Sequence, residues 1–203
     1  MKKIFAGVLA LVMLLSFCAC DKGKKTEPTT IKPEELDEEL LRSDWKDGII
    51  YFENGGTVDL PCTMDEIVET SGLKITDEEG IKRKVLQPDE DANFNLAGDG
   101  VQIRLTFKNK TEEPLTADKA TIVGYSFTNV NKNNVTIKFV KTLTVNVRRT
   151  DIEDALGLPD GATSEDKAYT YIGRDSEKRR VELRVNFNSS ELVNSVYFHV
   201  GSK

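Results

Sequence analysis

The chain has 203 residues, of which 38% are hydrophobic and 31% are charged, and this composition is typical of a globular protein rather than of a disordered chain. Its formal net charge of −6 argues against nucleic acid as a partner, because binding to phosphate needs a surplus of Lys and Arg. The single histidine, His199, excludes most His-based metal sites.

The first residues have the pattern of a secretion signal. Lys2 and Lys3 precede an apolar run at residues 4–15. A membrane-spanning helix needs about 20 apolar residues, so this run is too short to span a bilayer and fits the apolar region of a signal peptide. Ala19 followed by Cys20 resembles the lipobox of bacterial lipoproteins. The alternative is a plain secretory signal that is cut elsewhere, with Cys20 incidental.

The lipobox resemblance implies that residues 1–19 are removed and that Cys20 carries the lipid. Two or more acyl chains, such as palmitate, on one cysteine give stable anchoring, since each buried methylene contributes about 0.8 kcal/mol. We therefore expect the protein at the cell membrane, lipid-anchored and facing outside the cytoplasm. Residues 20–43 then comprise the lipidated cysteine, a flexible polar tether and a short helix over 33–42 that opens with Pro33.

Two blocks of sequence, residues 57–72 and 142–157, match at a constant offset of 85 residues. In each block a strand with alternating apolar residues precedes a short helix that ends at a glycine. Each helix also has the Thr-x-x-Glu pattern of a capping box at its start. The predicted capping pairs are Thr63 with Glu66 and Thr150 with Glu153, and the terminal glycines are Gly72 and Gly157.

A second matched pair of blocks follows in the same order. Residues 101–107 and 181–187 share the pattern Val-x-aliphatic-Arg-aliphatic-x-Phe, and a turn and another strand come after each. Strict alternation predicts antiparallel hairpins. We therefore expect an α+β fold of two tandem repeats, each a short helix packed on a small antiparallel β-sheet, with unit 1 at 44–133 and unit 2 at 134–203.

The second unit resembles two known kinds of protein. Its helix reads Asp-Ile-Glu-Asp-Ala-Leu-Gly-Leu-Pro-Asp at 151–160, and Tyr-Thr-Tyr at 169–171 and a hairpin over 181–200 follow it. This order resembles the small lipoproteins of the SmpA/OmlA type and the tandem fold of the β-lactamase inhibitor protein. The resemblance implies a binding or scaffolding role without catalysis, and it implies no particular ligand.

Few residues carry the patterns of catalysis or metal binding. Residues 89–99 begin like a calcium loop, but Phe94 stands where the loop needs glycine and Gly100 where it needs a bidentate Glu. We favour a solvated acidic loop over weak calcium binding. His199 has no Gly-x-Ser-x-Gly nucleophile motif with it, and Cys62 in a strand-like segment is more often a buried apolar residue than a nucleophile. We expect no metal site, no cofactor and no catalytic residue.

Aromatic residues exceed what two small cores need to bury, which indicates a binding face, since Tyr and Trp often dominate interfaces. The candidate binding face comprises Trp45, Tyr51, Tyr125, Tyr169, Tyr171 and Tyr197. The alternative is that most of these residues are half-buried, with their hydroxyl groups in water.

The sequence thus predicts a lipid-anchored, extracytoplasmic binding or scaffolding protein that is not an enzyme. The expected partners are the membrane, through the N-terminal lipid, and a protein or an envelope polymer. Two alternatives remain open. A cell-envelope hydrolase that uses carboxylates would need a pocket in which two of them converge with a raised pKa, and a capture protein for small solutes would need a deep cleft between the units.

Overall fold

A computed structural model of the chain describes residues 45–98, 101–128, 137–140, 143–163 and 167–201. The predicted signal peptide, the lipidated Cys20, the tether and its short helix lie outside these residues, as does the predicted boundary between 133 and 134. Strand accounts for 46% of the described part and helix for 18%. The protein is therefore mostly β.

Twelve strands are present in the described residues, and most of them pair with a neighbour in sequence. The strands are β1 (Ile50–Tyr51), β2 (Thr57–Val58), β3 (Lys74–Ile75), β4 (Val85–Leu86), β5 (Asp91–Gly98), β6 (Val101–Lys108), β7 (Leu115–Thr116), β8 (Thr121–Thr128), β9 (Gly161–Ala162), β10 (Ala168–Arg174), β11 (Arg180–Phe187) and β12 (Val193–Val200). Eight of them form one antiparallel sheet in the order β3-β5-β6-β8-β12-β11-β10-β9. The strands predicted at 101–107 and 181–187 are confirmed as β6 and β11.

The helices found in the described ranges are α1 (Met64–Ser71), α2 (Glu78–Arg83) and α3 (Arg149–Leu156). The capping box of α1 is confirmed, since the Thr63 N–H donates to Glu66 Oε2 at 2.7 Å and the Glu66 N–H donates to the Thr63 hydroxyl at 3.3 Å. None of these helices is long and apolar enough to cross a bilayer.

The capping box predicted for α3 is wrong. This helix begins earlier than expected, and the Arg148 N–H donates to Asp151 Oδ2 at 2.9 Å. Glu153 instead accepts a hydrogen bond from the Tyr169 hydroxyl, so its carboxylate faces the sheet and not the helix start. The predicted glycine stops are confirmed, because the Gly72 and Gly157 N–H groups donate to carbonyls in the last turns of their helices.

The predicted fold of two repeats, each with a helix on its own small sheet, is wrong. One continuous sheet is formed, and β8 pairs with β12 from Ser195 opposite Thr128 to His199 opposite Gly124. A half of roughly 70 residues buries so little surface that it is only marginally stable alone. Each half-sheet would also end in an open strand with unpaired backbone groups, and the β8–β12 pairing satisfies those groups.

The sheet has one buried face and one face in contact with solvent. The buried inner face carries Ile103, Leu105, Tyr125, Leu183, Val185 and Phe198, all with 0% of their surface exposed. Ile67 of α1, Ile81 of α2 and Ile152 of α3 belong to the same core cluster as these side chains. The helices therefore cover the inner face, and a single core runs through both halves of the sheet.

Candidate binding surface

The six aromatic residues of the predicted binding face do not form one exposed surface. Four of them are core residues, namely Trp45, Tyr125, Tyr169 and Tyr171, with 6%, 0%, 7% and 3% of their surface exposed. Strand alternation explains this burial, because Tyr169 and Tyr171 lie opposite Val185 and Leu183 on the inner face. Tyr51 and Tyr197 are partly exposed, and Tyr197 is the one that lies on the opposite side of the sheet, among polar residues.

The residues on that opposite side define what we call the outer face. Strand register aligns six of them in a row across the sheet, in the order Asn95, Arg104, Ser126, Tyr197, Arg184 and Thr170. We call this the central row. All six are exposed or partly exposed, and none is aliphatic. This row brings together residues from both halves of the chain.

Two arginines flank the Ser126–Tyr197 pair of the central row. Arg104 lies opposite Ser126, and Arg184 lies opposite Tyr197. Both arginines are exposed, and neither makes an ion pair with a described residue. They are three strand spacings apart, which corresponds to about 14 Å between their backbones. Arg184 is held by Asn186, whose Oδ1 accepts from Arg184 Nε at 3.3 Å.

Tyr197 is held in place by His199. Their rings stack with centroids 6.2 Å apart and planes 11° apart. The imidazole in turn lies over Gly124, where a Cβ would be 3.2 Å from His199 Nδ1 and 2.7 Å from the Phe198 carbonyl oxygen. The Nδ1 atom is buried and has no hydrogen-bond partner among the described residues. The aromatic pair thus rests on a position that accepts only glycine without a shift of neighbouring atoms.

Burial lowers the pKa of His199 below its ordinary value, and the surrounding charges partly oppose one another. Lys108 and Lys110 lower the pKa further, whereas Asp91 and Glu182 raise it. The imidazole is therefore neutral at pH 7. Burial also raises the pKa of Tyr197, with Glu182 and Asp91 acting in the same direction, so this hydroxyl stays protonated and can donate a hydrogen bond.

A second polar cluster joins α3 to the inner face of the sheet. The Tyr169 hydroxyl donates to Glu153 Oε1 at 2.5 Å, and the Arg149 guanidinium lies 5.3 Å from the Tyr169 ring and 4.9 Å from the Phe187 ring. The hydrogen bond to Glu153 is the main cause of a raised pKa at Tyr169. This cluster positions the helix on the sheet and lies on the side away from the central row.

Cys62, which the sequence analysis weighed as a nucleophile, and two carboxyl groups with shifted pKa values lie in surroundings that do not favour catalysis. Burial raises the pKa of the Cys62 thiol to about 12, with smaller contributions from Glu66 and Asp59. Glu66 and Glu90 have lowered pKa values, caused chiefly by hydrogen bonds from Thr63 and from Lys84 respectively. These carboxyl pKa values shift in the direction opposite to that needed by a general acid.

The predicted acidic loop at 89–99 is mainly a strand. Residues 91–98 form β5, whose side chains alternate between the two faces and do not converge on one point. Asp99 and Gly100 lie outside the described residues. In the part of the chain that is described, no group of three or more His, Cys, Asp or Glu side chains is arranged to hold a metal ion.

Sequence reasoning missed the two arginines of the central row, although the signal was present. Arg104 and Arg184 occupy the same position in the repeated Val-x-aliphatic-Arg-aliphatic-x-Phe pattern. The alternation of that pattern placed both side chains on the polar side of their strands. The pattern could not indicate that β8 and β12 would bring the two strands into one sheet.

Three comparisons were made with known proteins. No family model, no curated protein and no solved structure matched the chain.

Proposed function

We propose that the protein is a lipid-anchored, extracytoplasmic binding or scaffolding protein that has no catalytic activity. Cys20 carries the lipid and holds the folded part at the outer side of the cell membrane. The outer face of the eight-stranded sheet is the binding surface, and it faces an envelope component.

The observation that carries this proposal is that the helices cover the inner face of the sheet and leave the central row of the outer face accessible to solvent. The buried residues of all three described helices belong to the inner-face core, whereas the central row on the other side is solvent-accessible throughout. A solvated polar face is common in antiparallel sheets, so exposure alone identifies no function. The outer face differs in carrying Tyr197, stacked on His199, between two arginines that make no ion pair with a described residue. Tyr and Arg often provide most of the energy of an interface.

The two alternatives find less support in the geometry. A carboxylate hydrolase needs a general acid with a raised pKa. Among the residues that the structure describes, the carboxyl groups with shifted pKa values are Glu66, Glu90 and Asp175, and all three are lowered. A solute-capture protein needs a deep cleft between the halves, and the halves meet instead through the backbone pairing of β8 with β12.

Lipid attachment is tested with the full chain expressed in bacterial cells fed an alkyne analogue of palmitate. The wild-type protein is expected to take up the label and to remain with the membranes after cell breakage. The Cys20→Ser variant is expected to lose both properties. Cys18→Ser is the matched control, because it changes the neighbouring cysteine and should leave labelling intact. Labelling that depends on Cys18, or a mature N-terminus at another residue, would show the anchor to be wrong.

A further inference from the structure

We propose that the outer face docks a protein partner that presents acidic side chains, which Arg104 and Arg184 bind on either side of the Ser126–Tyr197 pair. This inference rests on the proposed function, since it names the kind of partner that the binding surface recognises. Three properties of the central row support it: its positive charge, the distance between its two arginines, and the fact that neither arginine forms an ion pair with a described residue.

The central row differs in charge from the chain as a whole. The chain has a net charge of −6, yet the central row contains two arginines and no acidic residue. The nearest acidic residue in register is Glu182, which lies opposite His199 in the adjacent row, and it is 3.9 Å from Arg180. Glu182 lies within the screening distance of about 8–10 Å from Arg184, but its charge is offset by Arg180. A partner that contacts the central row therefore meets a locally positive surface.

The guanidinium groups of Arg104 and Arg184 are available to bind a carboxylate. A guanidinium binds a carboxylate through two parallel hydrogen bonds, which single ammonium groups cannot do. Arg104 and Arg184 keep this capacity, because neither is paired with a described carboxylate. Arg184 is also oriented by Asn186, which is itself held by a 2.8 Å hydrogen bond from its Nδ2 to the Ser195 hydroxyl. Arg184 therefore loses less side-chain entropy when it binds a partner than a freely moving arginine would lose.

The charge distribution of the chain favours a protein partner over a long anionic polymer. A polymer with a uniform negative charge extends past the two arginines and is repelled by the negative charge carried by the rest of the chain. A folded partner with a few carboxylates can match the arginines and still pack on Tyr197, whose ring is held by His199. The six long strands give this face a width of about 24 Å and a length of about 25 Å. That footprint suits the ~800 Å² that each protein buries in a standard interface.

The experiment uses site-specific photocross-linking in membranes that contain the full-length, lipidated chain. A photoreactive amino acid replaces Thr128, which is exposed on β8 at the margin of the central row. The chain with both arginines intact is expected to give an adduct of discrete mass, and a protease digest of that adduct should contain peptides that do not belong to this chain. Poly-L-glutamate added before irradiation is expected to reduce the adduct, because its side chains compete for the same guanidinium groups.

Charge reversal provides the decisive comparison. Arg104→Glu with Arg184→Glu should reduce the adduct by at least tenfold. The control is Lys82→Glu with Arg83→Glu, which makes the same change of charge at two exposed positions of α2 and should leave the adduct unchanged. Exposed positions tolerate such changes, and circular dichroism of each variant checks that it is folded.

The remaining outcomes each overturn a stated part. An adduct that persists in the arginine variant overturns this inference and leaves the proposed binding role standing. An adduct whose digest contains no foreign peptides, or arginine-dependent binding of poly(glycerol phosphate) to the purified protein, shows that the partner is a polymer and overturns the assignment of a protein. The absence of any adduct from a wild-type chain that is lipidated and in the membrane overturns the proposed function itself.

Discussion

His199 lies over Gly124 so closely that its Nδ1 atom would be 3.2 Å from any Cβ at position 124. The same Cβ would be 2.7 Å from the Phe198 carbonyl oxygen, which belongs to the backbone and cannot swing aside. The close pairing of β8 with β12 at this point therefore requires that residue 124 be glycine. The same glycine makes room for His199 on the outer face.

The first prediction concerns that close approach. Gly124→Ala is expected to lower the free energy of unfolding by about 1–3 kcal/mol, since an added methyl group forces backbone atoms apart in a packed region. Urea unfolding followed by circular dichroism measures the change. Gly161→Ala is the control, because a Cβ there meets only Thr170, at 4.0 Å. Equal stability of the two variants would show that β8 and β12 can separate at no cost.

The second prediction concerns a buried hydroxyl. Tyr125 is stacked between Phe127 and Phe198, is fully buried, and its hydroxyl has no partner among the described residues. Tyr125→Phe is therefore expected to raise the free energy of unfolding by about 1 kcal/mol, because it removes an unsatisfied polar group and keeps the ring. Thermal or urea unfolding provides the measurement.

Tyr171→Phe is the matched control for that substitution. The Tyr171 hydroxyl donates to the Gly157 carbonyl at 3.2 Å, so its removal is expected to lower stability by about 0.5–1.5 kcal/mol. The two variants should thus differ in sign. A loss of stability in Tyr125→Phe would mean that its hydroxyl is satisfied in the native protein.

The third prediction concerns the reactivity of Cys62. The pKa of this thiol is raised from 9.0 to about 12, which leaves about a thousandfold less thiolate than an ordinary cysteine has at pH 8. In a chain with Cys18→Ser and Cys20→Ser, iodoacetamide should label Cys62 very slowly until urea unfolds the protein. Mass spectrometry follows the labelling. Rapid modification of the folded chain would place the thiol at the surface and contradict its burial.

The fourth prediction concerns acid stability at the turn between β10 and β11. Asp175 has only 2% of its side chain exposed, and Arg179 Nε donates to its Oδ2 at 2.5 Å. Burial pushes the pKa of Asp175 upward, but the hydrogen bonds and charge of Arg179 outweigh it and hold the pKa below its ordinary value. Because the pKa is lower in the folded state, this pair stabilises the protein above about pH 4, and the contribution disappears as the pH falls through the folded pKa.

Removal of Arg179 tests that pairing. Arg179→Gln is expected to lower the free energy of unfolding at pH 7 by roughly 2 kcal/mol, since it leaves the Asp175 carboxylate buried without a counter-charge. The loss should shrink as the pH approaches 3. The control is Arg180→Gln, because Arg180 and its partner Glu182 are 61% and 38% exposed and such pairs contribute little. A pH-independent effect at Arg179 would indicate a packing role instead of a charge pairing.

The local structure followed the sequence where it depends on near neighbours. The alternation at 101–107 and 181–187 correctly assigned which side chains of β6 and β11 face the core, and the Thr63–Glu66 cap and the glycine stops were correctly placed. The start of α3 was misplaced because Arg148 and Asp151 form a competing cap that the Thr-x-x-Glu pattern concealed. Each of these features is decided by residues a few positions apart, which is why the chain alone carries the information.

The sheet and its binding surface depend on contacts between distant parts of the chain. Both half-sheets expose a strand edge, and the sequence alone offered no means of choosing between two small sheets and the β8–β12 pairing that joins them. That pairing sends Tyr125 into a common core and sets Arg104 and Arg184 on one face, at a separation set by the three strand spacings between them. The amino-acid sequence thus determined the long strands of the two hairpins and the existence of α1 and α3, because periodicity and capping act locally, but it did not indicate α2. Only the tertiary structure decided that the edge strands β8 and β12 pair, because burial and backbone pairing depend on contacts with residues that are distant in the sequence.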